Sequence, residues 1–112
     1  MGYERSLELI REVALARPSV ENTCQLSCAF LKTYELMTRD MHRDIGLECL
    51  AKAISVVGEA EAAAKNKEDY EFLLMNYRLI EHVLKRDEVL SSANISEIEE
   101  KVRKYSLLSG AG

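Results

Sequence analysis

Residues that interrupt helices are scarce in this sequence of 112 residues, which contains one proline, Pro18, and five glycines. Proline breaks a helix interior because it lacks a backbone N–H and clashes with the preceding turn, and glycine weakens a helix through its backbone freedom. At the same time 47% of the residues are hydrophobic, which excludes a disordered or linker-like chain. These features together predict a globular, all-α protein.

Long apolar runs and a surplus of positive charge are also absent. No uninterrupted apolar stretch approaches the roughly 20 residues of a membrane helix, and the N-terminus lacks the basic-then-apolar layout of a secretory signal. The formal net charge is −4, whereas duplex-binding domains concentrate Lys and Arg on one face. The sequence therefore predicts neither a membrane nor a nucleic acid as a partner.

Cysteine and glutamine usage indicates the surroundings of the protein. The three cysteines, Cys24, Cys28 and Cys49, are an odd number and do not form a disulfide framework, which predicts a reducing, cytoplasmic location. Glutamine occurs once, at Gln25, while Glu, Lys and Arg are plentiful. A low content of thermolabile amides is typical of proteins from hot environments.

Apolar residues recur at helical spacing along most of the chain and predict five helices. Pro18 ends the first helix, and Ser19 is suited to cap the second. A single helix from Val20 to Lys65 is the alternative to two helices there, and ordinary helix lengths favour a break within residues 39–44. Ser96 and Glu99 form a capping-box pattern that predicts the start of the last helix. The five predicted helices are about Tyr3–Ala16, Val20–Thr38, Ile45–Lys65, Glu68–Arg86 and Ser96–Leu108.

The connections between these helices are short, so consecutive helices are expected to run antiparallel. We therefore expect one antiparallel bundle of four long helices plus a shorter, amphipathic C-terminal helix, in a single domain spanning residues 1–108. Residues 109–112 are expected to form a frayed C-terminal tail. The second half of the third helix is rich in small residues and predicts a surface for close packing. These residues are Gly58, Ala60, Ala62, Ala63 and Ala64.

The three middle helices carry more apolar faces than one small bundle covers, since a chain of this size buries only about 60 to 70% of its unfolded surface. This surplus predicts a homodimer, and a partner's helix could also dock in an apolar groove of the same kind. The candidate interface residues are Leu26, Phe30 and Met37 on the second predicted helix and Phe72, Leu79 and Val83 on the fourth.

His82 is the candidate catalytic residue, together with Arg78. The two residues resemble the Arg-and-His pair of HEPN-type ribonucleases, although their spacing is one residue shorter than in that family. The run His-Val-Leu-Lys from His82 is also similar to the His-x-Leu-Lys of histidine phosphotransfer domains, where an exposed imidazole accepts a phosphoryl group. Arg86 stands where that family carries glycine. These resemblances imply ribonuclease-like or phosphotransfer activity, against the alternative of a solvated surface histidine.

Cys24 and Cys28 are the candidate metal ligands, because a spacing of four residues places two thiols on one helix face. The alternative is a pair of small buried hydrophobic residues, since the rest of that stripe is apolar. A di-iron site of the bundle type needs Glu-x-x-His, and neither histidine has Glu three residues before it. The sequence contains no cofactor motif.

These observations predict a non-catalytic helical interaction module that associates with itself. The alternative prediction is an enzyme of the ribonuclease or phosphotransfer kind that depends on His82.

Overall fold

The computed structural model describes residues 19–88 and 92–110, together with positions 5, 8, 9, 11, 12 and 16. Every regular element among these residues is a helix, so the all-α prediction is confirmed. The helices are α1 (Val20–Arg39), α2 (Arg43–Ala63), α3 (Lys67–Asp87) and α4 (Ser92–Ser109). The first predicted helix, Tyr3–Ala16, lies mostly outside the described residues, and the six described positions within it are helical. None of the described helices is both long enough and apolar enough to cross a bilayer.

The contacts of the chain divide it into two compact units, Met1–Ala63 and Ala64–Gly112. Helices α1 and α2 pack together in the first unit, and α3 and α4 pack together in the second. The arrangement of all helices in one antiparallel bundle, and the single domain over residues 1–108, stay predictions.

Helix α1 begins and ends with defined caps. The Ser19 hydroxyl oxygen accepts a hydrogen bond from the Asn22 N–H at 3.0 Å, which confirms the predicted N-cap. At the other end Met41 has a positive φ of 67°, and the His42 and Met41 N–H groups donate to the Met37 and Thr38 carbonyls. This is a Schellman motif, and it confirms the predicted break within residues 39–44.

Helices α1 and α2 approach each other closely through small residues. The Ser27 hydroxyl donates a 2.7 Å hydrogen bond to the Ala53 carbonyl oxygen across the pair. A Cβ atom placed on Gly46 would lie 2.9 Å from Thr38 Oγ1 and 3.2 Å from the Tyr34 carbonyl oxygen. Gly46, Ala53 and Ala60 are all buried and lie seven residues apart, so they form one small-sided face of α2.

The small residues around Gly58 do not form the close-packing surface predicted for them. Gly58, Ala62 and Ala63 are exposed, and nothing lies within 4 Å of a Cβ placed on Gly58. Ala60 alone of that group is fully buried. The small-sided face of α2 is instead formed by Gly46, Ala53 and Ala60. Their spacing of seven residues, about two helical turns, keeps them on one side of the helix.

Helices α3 and α4 pack around a stack of tyrosines. The Tyr105 ring is buried between Tyr70 and Tyr77, with centroid separations of 5.8 and 6.0 Å. Lys85 on α3 also reaches Glu99 on α4 at 3.5 Å. These contacts pair the end of one helix with the start of the other, as in an antiparallel hairpin.

The C-terminal helix is longer than the sequence pattern predicts. It has 18 residues and begins at Ser92, so the capping box predicted at Ser96 is wrong and Ser96 lies inside the helix. Ser109, assigned to the tail by the sequence analysis, is buried and is the last residue of α4. Gly110 follows with φ 76°, and its N–H donates to the Leu107 carbonyl, so the helix closes within the predicted tail.

Candidate functional site

His82 and Arg78 lie one turn apart on α3, and both are exposed. No hydrogen bond or ion pair joins either side chain to another described residue. A catalytic histidine is held in position by a second polar group and acts on a substrate in a concave site. Within the described part of the chain, no second polar group holds His82 in position.

The cysteines lie mainly in the interior of the first unit. Cys24 on α1 and Cys49 on α2 are buried, and Cys28 on α1 is partly buried. Burial raises the pKa of the Cys28 thiol, with Lys32 acting in the opposite direction. Burial also raises the pKa of Cys49, opposed by Lys52 and reinforced by Glu48. These two thiols therefore stay protonated and unreactive at neutral pH.

The metal site predicted at Cys24 and Cys28 gains no further ligands from the fold. Among the described residues, no three His, Cys, Asp or Glu side chains cluster closely enough to hold a metal ion. The burial of Cys24 and the partial burial of Cys28 fit the alternative of small hydrophobic residues in the core.

A shallow depression lies at the α1–α2 turn and is lined by Met41, His42, Arg43, Asp44 and Ile45. All five residues are consecutive, so the depression is the outer side of the turn itself. Among the described residues, the lining comes from this turn and the start of α2 alone, and we assign the depression no chemistry.

The predicted interface residues fall into two groups in the structure. Leu26, Phe30, Met37 and Val83 are buried within the chain, and Lys52 lies over the Phe30 ring at 5.9 Å from its centroid. Phe72 is half-buried, and Leu79 is 49% exposed. Of the six candidates, therefore, only Phe72 and Leu79 present apolar surface to solvent.

Met75 joins Phe72 and Leu79 to form what we call the α3 row. Its side chain is 63% exposed, and the three positions are spaced by three and four residues, so they share one face of α3. The sequence analysis missed Met75, although the same spacing from Phe72 would have identified it. The α3 row is a continuous apolar strip on a helix that is otherwise charged on its outer side.

Charged residues bound the α3 row at both ends of the helix. Glu68 is exposed in the first turn, and Arg86 lies in the last turn, where its guanidinium contacts Asp87 at 2.8 Å. Acidic groups at a helix N-terminus and basic groups at its C-terminus are both favoured by the helix dipole. Along this face Glu68 thus lies at the start, the apolar row in the middle, and Arg86, in an ion pair with Asp87, at the end.

We compared the chain with known protein families, with curated proteins and with solved structures, and no match was found.

Proposed function

We propose that this chain is a non-catalytic helical module that associates with itself through the α3 row. The observation that carries the proposal is the exposure of Met75 and Leu79, with Phe72 beside them, on one face of a regular helix. A large apolar side chain gains about 1.5–3 kcal/mol on full burial, so three neighbouring ones favour contact with another apolar surface. The cytoplasmic location expected from cysteine usage is part of this proposal.

The expected association is weak. Helix α3 has 21 residues, which corresponds to about 30 Å of length, and the row occupies only its middle part. The row comprises three side chains, whereas each partner of a typical stable interface contributes about 20–30 residues. A homodimer with a dissociation constant in the micromolar range fits such a surface.

The alternative function, ribonuclease-like or phosphotransfer activity at His82, stays a prediction. No contact of His82 with the described residues favours it over the interaction module. Docking of a partner's helix, the other interaction predicted from the sequence, would use the same α3 row.

The test compares the oligomeric state of two matched variants by sedimentation velocity, from about 5 to about 200 μM. We expect the wild-type mass to rise with concentration toward twice the 12.7 kDa of one chain. Met75→Glu places a charge in the centre of the α3 row and should remain monomeric. Leu107→Glu is the control, because Leu107 is 77% exposed on α4, outside the row. It should behave as the wild type does.

Two outcomes contradict the proposal. One is a wild-type chain that stays monomeric over the whole concentration range. The other is a Met75→Glu variant that associates as strongly as Leu107→Glu. Far-UV circular dichroism of both variants verifies that their helices are intact.

A further inference from the structure

The face of α3 that carries the row continues in both directions along the helix. Its positions are spaced alternately by four and three residues, which keeps all of them on one strip of the helix surface. In chain order these residues are Glu68, Phe72, Met75, Leu79, His82 and Arg86. Along the strip, an acidic residue is followed by three apolar residues, then by a histidine and an arginine.

The positions of these six residues are symmetric about a single point along the helix axis. Position 77 is the midpoint between Met75 and Leu79, between Phe72 and His82, and between Glu68 and Arg86. A helix that meets its own copy in reverse direction about position 77 therefore places apolar side chains together in the middle. The same reversal places an acidic residue opposite a basic one at each end.

We infer that the partner of the α3 row is a second copy of this chain, with the two α3 helices antiparallel across a two-fold axis near position 77. This inference rests on the self-association proposed above and adds its geometry. Met75 packs against Leu79 of the other copy, Phe72 packs against His82, and Glu68 approaches Arg86, whose guanidinium also contacts Asp87 of its own helix. Each contact occurs twice, because a two-fold interface is made of the same surface on both subunits.

A parallel pair of α3 helices is disfavoured by the same charges. In that orientation Glu68 faces its own copy at one end and Arg86 faces its own copy at the other. Like charges placed opposite each other destabilise an interface, whereas complementary charges specify its orientation and register.

The flank of the strip adds a second charge pair. Glu71 is exposed, and Lys85 is about half exposed and bridges Glu81 at 3.7 Å and Glu99 at 3.5 Å. Their midpoint is position 78, so the antiparallel arrangement brings Glu71 near Lys85 of the other copy. Arg78, on the same flank, approaches its own copy near the axis, which opposes tight association.

Two single charge reversals test the antiparallel geometry, Glu68→Arg and Arg86→Glu. Each variant alone should dimerise about tenfold more weakly than the wild type, since both end pairs become repulsive. An equimolar mixture of the two should regain near wild-type association, because Arg at 68 then faces Glu at 86 in one end pair while the native Arg86 faces the native Glu68 in the other. Each substitution weakens the favourable interaction of residue 68 or 86 with the dipole of its own helix. That loss is the same whether the variant is alone or in the mixture, so recovered association reports the charge pairing between the two chains.

Sedimentation velocity of each variant, of the mixture and of the wild type at low ionic strength gives the readout. Weaker association of each single variant, together with recovery in the mixture, supports the antiparallel pair, because in a parallel pair each variant alone would keep two like-charge contacts, as the wild type does. If the mixture associates no more strongly than its components, or if both single variants dimerise as the wild type does, the antiparallel geometry is overturned. Dimerisation that is still abolished by Met75→Glu would then leave the proposed function standing. A monomeric wild type would overturn both.

Discussion

At the scale of single residues, the two glycines of α2 occupy opposite environments. Gly46 is buried where α1 and α2 meet, and a Cβ there would lie 2.9 Å from Thr38 Oγ1 and 3.2 Å from a backbone oxygen. Gly58 is exposed, with nothing within 4 Å of the same atom. Glycine is costly in a helix unless the lack of a side chain is needed. Only Gly46 meets that condition.

We therefore expect the same substitution to have opposite effects at the two sites. Gly46→Ala should destabilise the protein by about 1–3 kcal/mol, because the backbone oxygen that it meets cannot move aside easily. Gly58→Ala should stabilise it by about 0.5–1 kcal/mol through helix propensity and a more restricted unfolded chain. Urea unfolding followed by circular dichroism measures both changes. A neutral Gly46→Ala would show that the two helices are not in close contact at this point.

At the scale of the helices, the all-helical fold could be predicted from sequence, because few other secondary structures are compatible with scarce Pro and Gly and with apolar residues at helical spacing. The N-cap at Ser19 could also be predicted, since the Ser19 side chain hydrogen-bonds to the first turn of the helix that it precedes. The end of α1 was harder to place, because Met41 rather than glycine adopts the left-handed conformation. The start of α4 was misplaced, because Ser96 and Glu99 match a capping box while lying inside a longer helix.

The candidate site was only partly predictable, for a physical reason. Leu26, Phe30, Met37 and Val83 are as apolar as Phe72 and Leu79, and sequence spacing groups them all into rows. Which row faces solvent depends on how the helices pack, and that information is not local to any helix. Of the six predicted interface residues, only Phe72 and Leu79 are not buried, and Met75, exposed on the same face of α3, is not among the six.

The pairing of α3 with α4 depends on the stack of Tyr70, Tyr105 and Tyr77. Tyr105→Ala removes a fully buried ring and both stacking contacts, and should cost about 3–5 kcal/mol of unfolding free energy. Tyr105→Phe keeps the ring and should cost about 1 kcal/mol. Chemical denaturation followed by circular dichroism compares the two. Equal losses in both variants would assign the stability to the hydroxyl group and not to the stacked rings.

At the scale of the whole molecule, the proposed self-association would make stability depend on protein concentration. Association between folded chains stabilises the folded state relative to the unfolded state by mass action. The melting temperature of the wild type should therefore rise by about 3–6 °C between dilute and hundredfold more concentrated samples. Met75→Glu should melt at the same temperature at both concentrations. A wild-type melting temperature that does not depend on concentration would contradict self-association, and differential scanning calorimetry provides the measurement.

The exposure of Met75 also has a chemical consequence. Its thioether is open to solvent, whereas the thiols of Cys24 and Cys49 are buried and that of Cys28 is partly covered and protonated. A mild peroxide therefore reaches this methionine more readily than any of the three thiols. The resulting sulfoxide introduces a polar group at the centre of the apolar strip, so oxidative ageing of a stored sample would weaken the proposed self-association while leaving the helices intact.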